Sequence, residues 1–368
     1  MCRRSLNLLQ GKLARRCGVS RQFLSLVEAG RAQPNVQVAL RLAEALDSSV
    51  EELFGAAQKK NKAKGLPVQL TPTGLNAGAR LHLAKIGRHW VAHSADTIAS
   101  FGGGFSEADG VLATADRPAR AHVYRDTAEL KHNLAVAGCD PALALIQTDA
   151  EKGHGLPGRC FWVNCGSARA LQRLAAGQVQ VAGLHYGGTD EGENLRQVRS
   201  FDPSGKWRIL RFTRWEQGWM VRRSVGKKFR GVADLASHRF RLANREAGSG
   251  SRHWLDGQLA QLGLAAAAVP GYGQEFTSHW SCAQALVENR ADVGVGPRAV
   301  AAIFGLEFLP ELVVSFDLVV PRTQWEHPRL QALLERLRGR TFQKEIESLP
   351  GYEAGEAGTL FDGRVLKA

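Results

Sequence analysis

Along the first 55 residues apolar side chains recur at helical spacing in short runs. Leu9 and Leu13 form one face, Val19, Phe23, Leu24 and Val27 a second, and Val38, Leu40, Leu42, Ala43 and Leu46 a third, closed by Val50, Leu53 and Phe54. Gly18 breaks the first pair of faces and "GRAQPN" the next. Ser20 is placed to cap the second helix, and the small Ala14 lets two helices cross closely. Residues 56–72, "AAQKKNKAKGLPVQLTP", are polar, Lys-rich and end in Pro, Gly and Thr, the composition of a linker. The period then changes. "ARLHLAKIGRHWVAHSA" alternates around Gly87 and Arg88 as a β-hairpin does, and "FGGGF" with "ADGVLATA" continues in that manner, so residues 73–125 read as a small β-rich connecting region.

From about residue 130 short apolar strands alternate with helices. "NLAVAG", "RCFWVNCG", "QVQVAGL", "FRLAN", "ADVGVGP" and "PELVVSFDLVVP" read as strands. "CDPALALIQTDA", "SARALQRLAAG", "SRHWLDGQLAQLGL", "SHWSCAQALVENR" and "HPRLQALLERLRGRTFQKEIESL" read as helices. Such alternation builds an open α/β sheet, and the two similar blocks predict two lobes over 126–358, followed by a tail at 359–368. Ligands on such sheets bind beyond the carboxyl ends of the strands, at helix N-termini. Two strand-to-helix turns have that chemistry. "NCGSARAL" puts Ser167 at one helix start, and "NREAGSGSRHW" puts Ser249 and Ser251 at another. Free N–H groups and hydroxyls at two facing N-termini suit an anion. Arg245 and Arg252 add bidentate donors, although a solvated or salt-bridged role fits each equally well.

Charge changes the picture more than overall composition does. The 368 residues hold 48 Lys+Arg against 35 Asp+Glu, a net +13, and 12 of the basic but only 5 of the acidic side chains fall in residues 1–64. A basic module beside a nearly balanced one points to nucleic acid as partner of the first part. With 44% hydrophobic and 23% charged residues the chain is globular in composition. "MCRRSLNLLQGK" lacks an apolar run of signal-peptide length and no stretch approaches ~18 uninterrupted apolar residues, so the expected location is the cytoplasm, away from membranes. The six cysteines show neither a CxxC pair nor a zinc-like Cys/His spacing, so no metal site is read from them.

The segment "LLQGKLARRCGVSRQFLSLVEAGRAQPNVQVALRLAEALDSSVEELF", residues 8–54, resembles the Xre/Cro/C1-type helix-turn-helix family. That family has a full helix ahead of the motif, where this chain has "MCRRSLN"; either the start lies upstream or the first helix is short. The resemblance implies an all-α DNA-binding domain over 1–55 whose second motif helix enters the major groove. Ser20, Arg21, Gln22 and Leu26 take the recognition positions, and Gln10, Arg31 and Asn35 the phosphate contacts. Arg pairs bidentately with guanine and Gln with adenine, whereas Leu26 offers only an apolar contact. Glu28 is assigned to the fold. Double-stranded DNA and a homodimer reading paired half-sites are the implied partners.

The succession "VAGCDPAL", "GSARALQRLAAGQVQVAGLH", "EQGWMVRR", "NREAGSGSRHWLD", "TSHWSCAQALVENRADVGVGPRAVA", "FDLVVP" and "LPGYEAGEAGT" is similar to the periplasmic-binding-protein-like domain associated with molybdate and molybdopterin biology. It implies a C-terminal α/β, two-lobed, type II fold acting as a sensor, with His185, Tyr186, Gln217 and His279 lining the cleft beside Ser167, Arg245, Ser249, Ser251 and Arg252. The expected ligand is a small anion: molybdate, tungstate or a molybdopterin-type effector. No cofactor is required. A pterin would want stacking partners, for which Trp162, Trp254, Trp280 and Tyr186 are available. The function expected is a DNA-binding transcriptional regulator controlled by that ligand, not an enzyme. An enzyme or carrier of molybdenum-cofactor synthesis with an appended DNA-binding module is the alternative.

Overall fold

The computed structural model describes residues 10–28, 32, 34–46, 48–50, 53, 65–71, 74–96, 106–147, 156–186 and 191–361. Two compact units divide between Gly65 and Leu66. The first holds helices α1 (Gln10–Arg16), α2 (Arg21–Glu28) and α3 (Val36–Ala45). Leu13, Ala14, Cys17, Leu24, Leu42, Ala45 and Leu46 close its core, whereas Leu40, a core candidate from the sequence, is 57% exposed. Gly18 adopts φ +65°, which lets the chain turn from α1 to α2. Ser20 Oγ accepts from Phe23 N at 3.0 Å, the cap the sequence signals, and Asn35 Oδ1 accepts from Val38 N at 2.9 Å, a second cap at the start of α3.

In the second unit, strands β1 (Leu66–Pro67), β2 (Gln69–Thr71), β3 (Arg80–Ile86), β4 (His89–Ser94), β5 (Gly110–Thr114) and β6 (Arg120–Val123) form a sheet in the order β1-β6-β5-β3-β4-β2. The end of the stretch read as linker is therefore strand, because "LP" and "QLT" find ladder partners in β6 and β4. This sheet adheres to the larger one through a buried polar network. Asp109 Oδ1 accepts from Arg159 Nε and Nη2 at 3.2 and 3.0 Å, and Oδ2 from Leu83 N and Asn133 Nδ2 at 2.8 and 3.1 Å. Arg159 also reaches His82 Nδ1 at 2.7 Å.

The larger sheet is built on two 15-residue strands, β10 (Trp207–Val221) and β14 (Glu307–Pro321), antiparallel along their whole length. At one end β14 pairs with β9 (Val181–Leu184), which continues into β7 (Leu134–Gly138) and β8 (Cys160–Asn164). At the other, β10 pairs with β13 (Val293–Pro297), followed by β11 (Leu242–Arg245) and β12 (Glu275–Phe276). Two parallel lobes thus share a pair of crossing strands. The strands of the first lobe are buried on both faces: Leu134 and Val136 join one core cluster and Ala135 and Ala137 the other, the pattern of a covered parallel sheet. Two register shifts, at Arg211/Thr213 and Gln217/Gly218, bend β10 where it passes between the lobes. Of the eleven strands and helices read from sequence in this region, two helices are corrected. Pro141–Gln147 is a 3-10 turn, tightened because buried Asp140 accepts from Ala142 N, Thr213 Oγ1 and Tyr352 OH. The final helix is broken at Gly339, whose extended backbone (φ −73°, ψ 136°) separates Pro328–Arg338 from Arg340–Glu347.

Candidate functional site

In the first unit, Arg21 and Gln22 are exposed on α2, and Leu26 on the same helix is 45% exposed. Gln10 Nε2 donates to Glu28 Oε2 at 2.9 Å and Arg21 Nε to Gln10 Oε1 at 3.4 Å, so Glu28 ties α1 to α2, the structural role assigned to it. Asn35 is exposed while its carbonyl caps α3. Arg31 lies outside the described residues.

The second site lies where the two lobes meet. Helix α5 (Ser167–Ala175) begins at the carboxyl end of β8 and α7 (Gly250–Gln261) beyond that of β11; α4 is the short Thr127–Leu130 helix and α6 the Glu191–Phe201 helix. Their N-termini meet directly across the cleft. Ala168 N donates to Gly248 O at 3.0 Å, and Asn164 Nδ2 to Thr277 O at 3.2 Å. A Cβ on Gly166 would stand 2.7 Å from Glu246 Oε1, and one on Gly250 only 2.0 Å from His185 O and 2.6 Å from His185 Nδ1. Glycine is required at Gly250, where backbone of the other lobe occupies the space, whereas at Gly166 the obstructing atom is the movable end of the Glu246 side chain.

The hydroxyls are engaged within the fold. Ser167 Oγ donates to His185 O and accepts from His185 N, Ser249 Oγ caps α7 by accepting from Arg252 N, and Ser251 Oγ donates to Gln217 Oε1 at 2.6 Å. Arg252 reaches away, bonding Asp256 and the Arg245 carbonyl and stacking on Tyr272 at 3.9 Å. Tyr186 is buried with its ring edge-on to His253. Of the candidate stacking groups, Trp162 is spent in the core with its Nε1 donating to Gly138 O, Trp254 packs on Trp219 and Trp280 on Phe304.

Four fully buried side chains at this cleft keep polar atoms with little or no partner. Neither ring nitrogen of His185 meets a hydrogen-bond partner, His279 has only the Val295 carbonyl facing its ring, and Gln217 Nε2 and Arg245 Nη1 are unpartnered. The His185 and His279 rings lie 6.3 Å apart, with Trp215 edge-on to both. Burial lowers His185 to about 3, and the Arg245 charge pushes it the same way; His279, at the first turn of α8 (His279–Val287), falls well below its ordinary value for the same two reasons. Both imidazoles are therefore neutral, each one donor and one acceptor. Burial opposes the charge on Arg245, but Glu246, bonded to its Nε and Nη2 at 3.0 Å, holds the guanidinium above its usual range. The structure thus gathers His185, Gln217, Arg245 and His279 around one centre, rims it with Ser167, Ser249 and Ser251, and leaves Arg252 on the outside. Sequence reasoning missed Cys139, which follows β7 and whose Sγ lies within 4.8 Å of ring nitrogens of both histidines.

Gly250→Ala is expected to wedge the lobes apart, because the obstructing atom is the His185 backbone oxygen and cannot rotate away. Hydrogen exchange of the Ala168 amide, held by Gly248 across the cleft, should accelerate at least about tenfold. Unchanged protection would mean that closure does not depend on this contact.

Comparison with known proteins matches residues 150–338 to a family described as a PBP superfamily domain and residues 1–53 to a helix-turn-helix family. The uncharacterized protein YvgK of Bacillus subtilis (strain 168) is 29% identical over 230 residues, 62% of this chain and 73% of that protein. An uncharacterized protein in the 5′ region of a 2Fe-2S ferredoxin gene of Clostridium pasteurianum is 25% identical over 107 residues, 29% of this chain and 95% of its own. Among solved structures, the tungstate ABC transporter from Geobacter sulfurreducens is 14% identical with a TM-score of 0.44, covering 59% of this chain and 98% of that one. No helix among the described residues is long and apolar enough to cross a membrane. With more than half of its residues matched, the chain belongs to the PBP superfamily domain family, and it joins that domain to an N-terminal helix-turn-helix segment.

Proposed function

We propose that this chain is a ligand-controlled, DNA-binding regulator, acting as a homodimer on double-stranded DNA and taking a small oxyanion, molybdate or tungstate, between its lobes. One observation supports the ligand: three buried side chains where the lobes meet, His185, Gln217 and Arg245, keep donors that nothing in the fold uses. Buried polar groups are ordinarily paired, and leaving each without a partner costs roughly 1–3 kcal/mol. An oxyanion accepts from all three at once. Arg245 Nη1, Gln217 Nε2 and the N–H of His185 meet its oxygens, and the helix N-termini add their positive ends. A ligand that binds with both lobes favours the closed arrangement, and that preference is what a regulator would pass to its DNA-binding segment. A molybdopterin-type effector fits less well, since the tryptophans it would stack on are packed elsewhere.

Thermal melting of the full chain with molybdate, tungstate, sulfate, phosphate and a molybdopterin-containing extract tests this. Molybdate or tungstate at 100 times its Kd should add about 2.7 kcal/mol. Gln217→Leu and Arg245→Met should each abolish the shift, and operator affinity should change with the same anion. Silence toward every anion sinks the oxyanion, and a response to the extract alone points to the cofactor.

A further inference from the structure

Cys139, His185 and His279 each offer one ligand atom, and the three atoms lie within 4.8 Å of one another in a fully buried cluster. They come from three turns at the cleft, after β7, after β9 and at the start of α8. A histidine that merely fills a core ordinarily has a hydrogen bond on at least one nitrogen. His185 has none, and the Val295 carbonyl at His279 would take the hydrogen of one nitrogen and leave the lone pair of the other unused, the arrangement by which a metal ligand is oriented.

We propose that Cys139, His185 and His279 bind a single Cu(I) ion. One soft thiolate and two imidazoles form the donor set of a thiophilic metal. Bonds of about 2.3 Å to sulfur and 2.0 Å to nitrogen put neighbouring donors roughly 3.5 Å apart, so the cluster reaches ligating geometry by shifts on the order of 1 Å. Charge selects the valence. Arg245 is already balanced by Glu246, and the first turns of α7 and α8 lean positive. A divalent ion on one thiolate would leave a net positive charge buried among them, whereas Cu(I) with one thiolate is neutral. Burial pushes the Cys139 thiol up to about 12, so the metal displaces the thiol proton: Cys–SH and Cu(I) give Cys–S–Cu(I), and one proton passes to solvent.

The inference goes beyond the oxyanion reading and does not require it. The full chain, purified without oxygen, is titrated with Cu(I) against the chelator bicinchoninate, and copper-edge absorption spectra are recorded on the unmutated protein. One Cu(I) per chain is expected, with one sulfur and two nitrogen neighbours. Cys139→Ser and His185→Asn should each weaken binding at least about 100-fold, while Cys160→Ala, in the core of the first lobe, leaves it within about threefold. A spectrum with sulfur neighbours only, unchanged affinity in Cys139→Ser, or Zn(II) displacing Cu(I) would overturn the assignment. A chain that binds Cu(I) but shows no molybdate shift keeps this site and loses the oxyanion. The reverse keeps the oxyanion and loses this site.

Discussion

Arg159→Met should cost the unit from Leu66 onward about 3–5 kcal/mol, because it strands a carboxylate that solvent cannot reach. Asp109 is fully buried, and Arg159 supplies two of the four hydrogen bonds its oxygens accept. The same guanidinium donates to His82, whose other nitrogen has no partner. Removing it leaves a charge and an imidazole unpaired in the seam between the six-stranded sheet and the first lobe. The loss should appear as a melting temperature lower by roughly 10 °C for a unit of this size. The informative companion is Asp109→Leu with Arg159→Met, which removes both charges and should recover most of the loss. If the double variant melts with the single one, the ion pair is not what joins the sheet to the lobe.

That seam was invisible in the sequence, and the reason applies to much of the site. What could be read was local. The hairpin around Gly87, the Ser20 cap and the two Gly/Ser turns at Ser167 and Ser249 depend on residues a few positions apart, where capping and period decide the outcome. The long crossing strand β10 carries "WRILRFTRWEQGWMV", whose bulges at Arg211 and Gln217 break the alternation that signals a strand. Its identity rests on β14, which lies far along the chain. Ser167, Ser249 and Ser251 lie at helix starts as read, yet their hydroxyls are taken within the fold: Ser249 caps its own helix, Ser167 bonds the His185 backbone and Ser251 bonds Gln217, partners distant in sequence. Arg245 and Arg252 were indistinguishable as letters. One ends β11 with a free nitrogen and the other lies in the first turn of α7 tied to Asp256 and Tyr272, a difference made by the elements that carry them. Cys139 carried no signal, since its partners His185 and His279 come from other turns and no fixed spacing links them.

Acid should unfold this chain well above the pH at which its carboxylates titrate. His93 and His185 are lowered to about 3, in each case by burial first, with Arg173 acting on His93 and Arg245 on His185. His327 is lowered to about 4, and His82 and His279 lie well below their ordinary value. In the unfolded chain each titrates near 6.5. Below that pH the unfolded state binds more protons than the folded one, so stability is full above about 6.5 and falls continuously toward pH 3. At pH 5 His93 and His185 together cost about 4 kcal/mol, from roughly 1.4 kcal/mol per unit of pH for each. Asp140 works the other way, since burial raises it and its protonation favours the fold. Urea unfolding at pH 7 and pH 5, followed by tryptophan fluorescence, reads the difference. In His185→Gln the drop between the two should shrink by about 2 kcal/mol, while a wild-type chain equally stable at both would mean that these imidazoles take up protons without unfolding. Bound oxyanion should oppose the effect, because a dianion beside His185 and His279 favours their charged forms and lets the closed cleft accept the protons that otherwise open it.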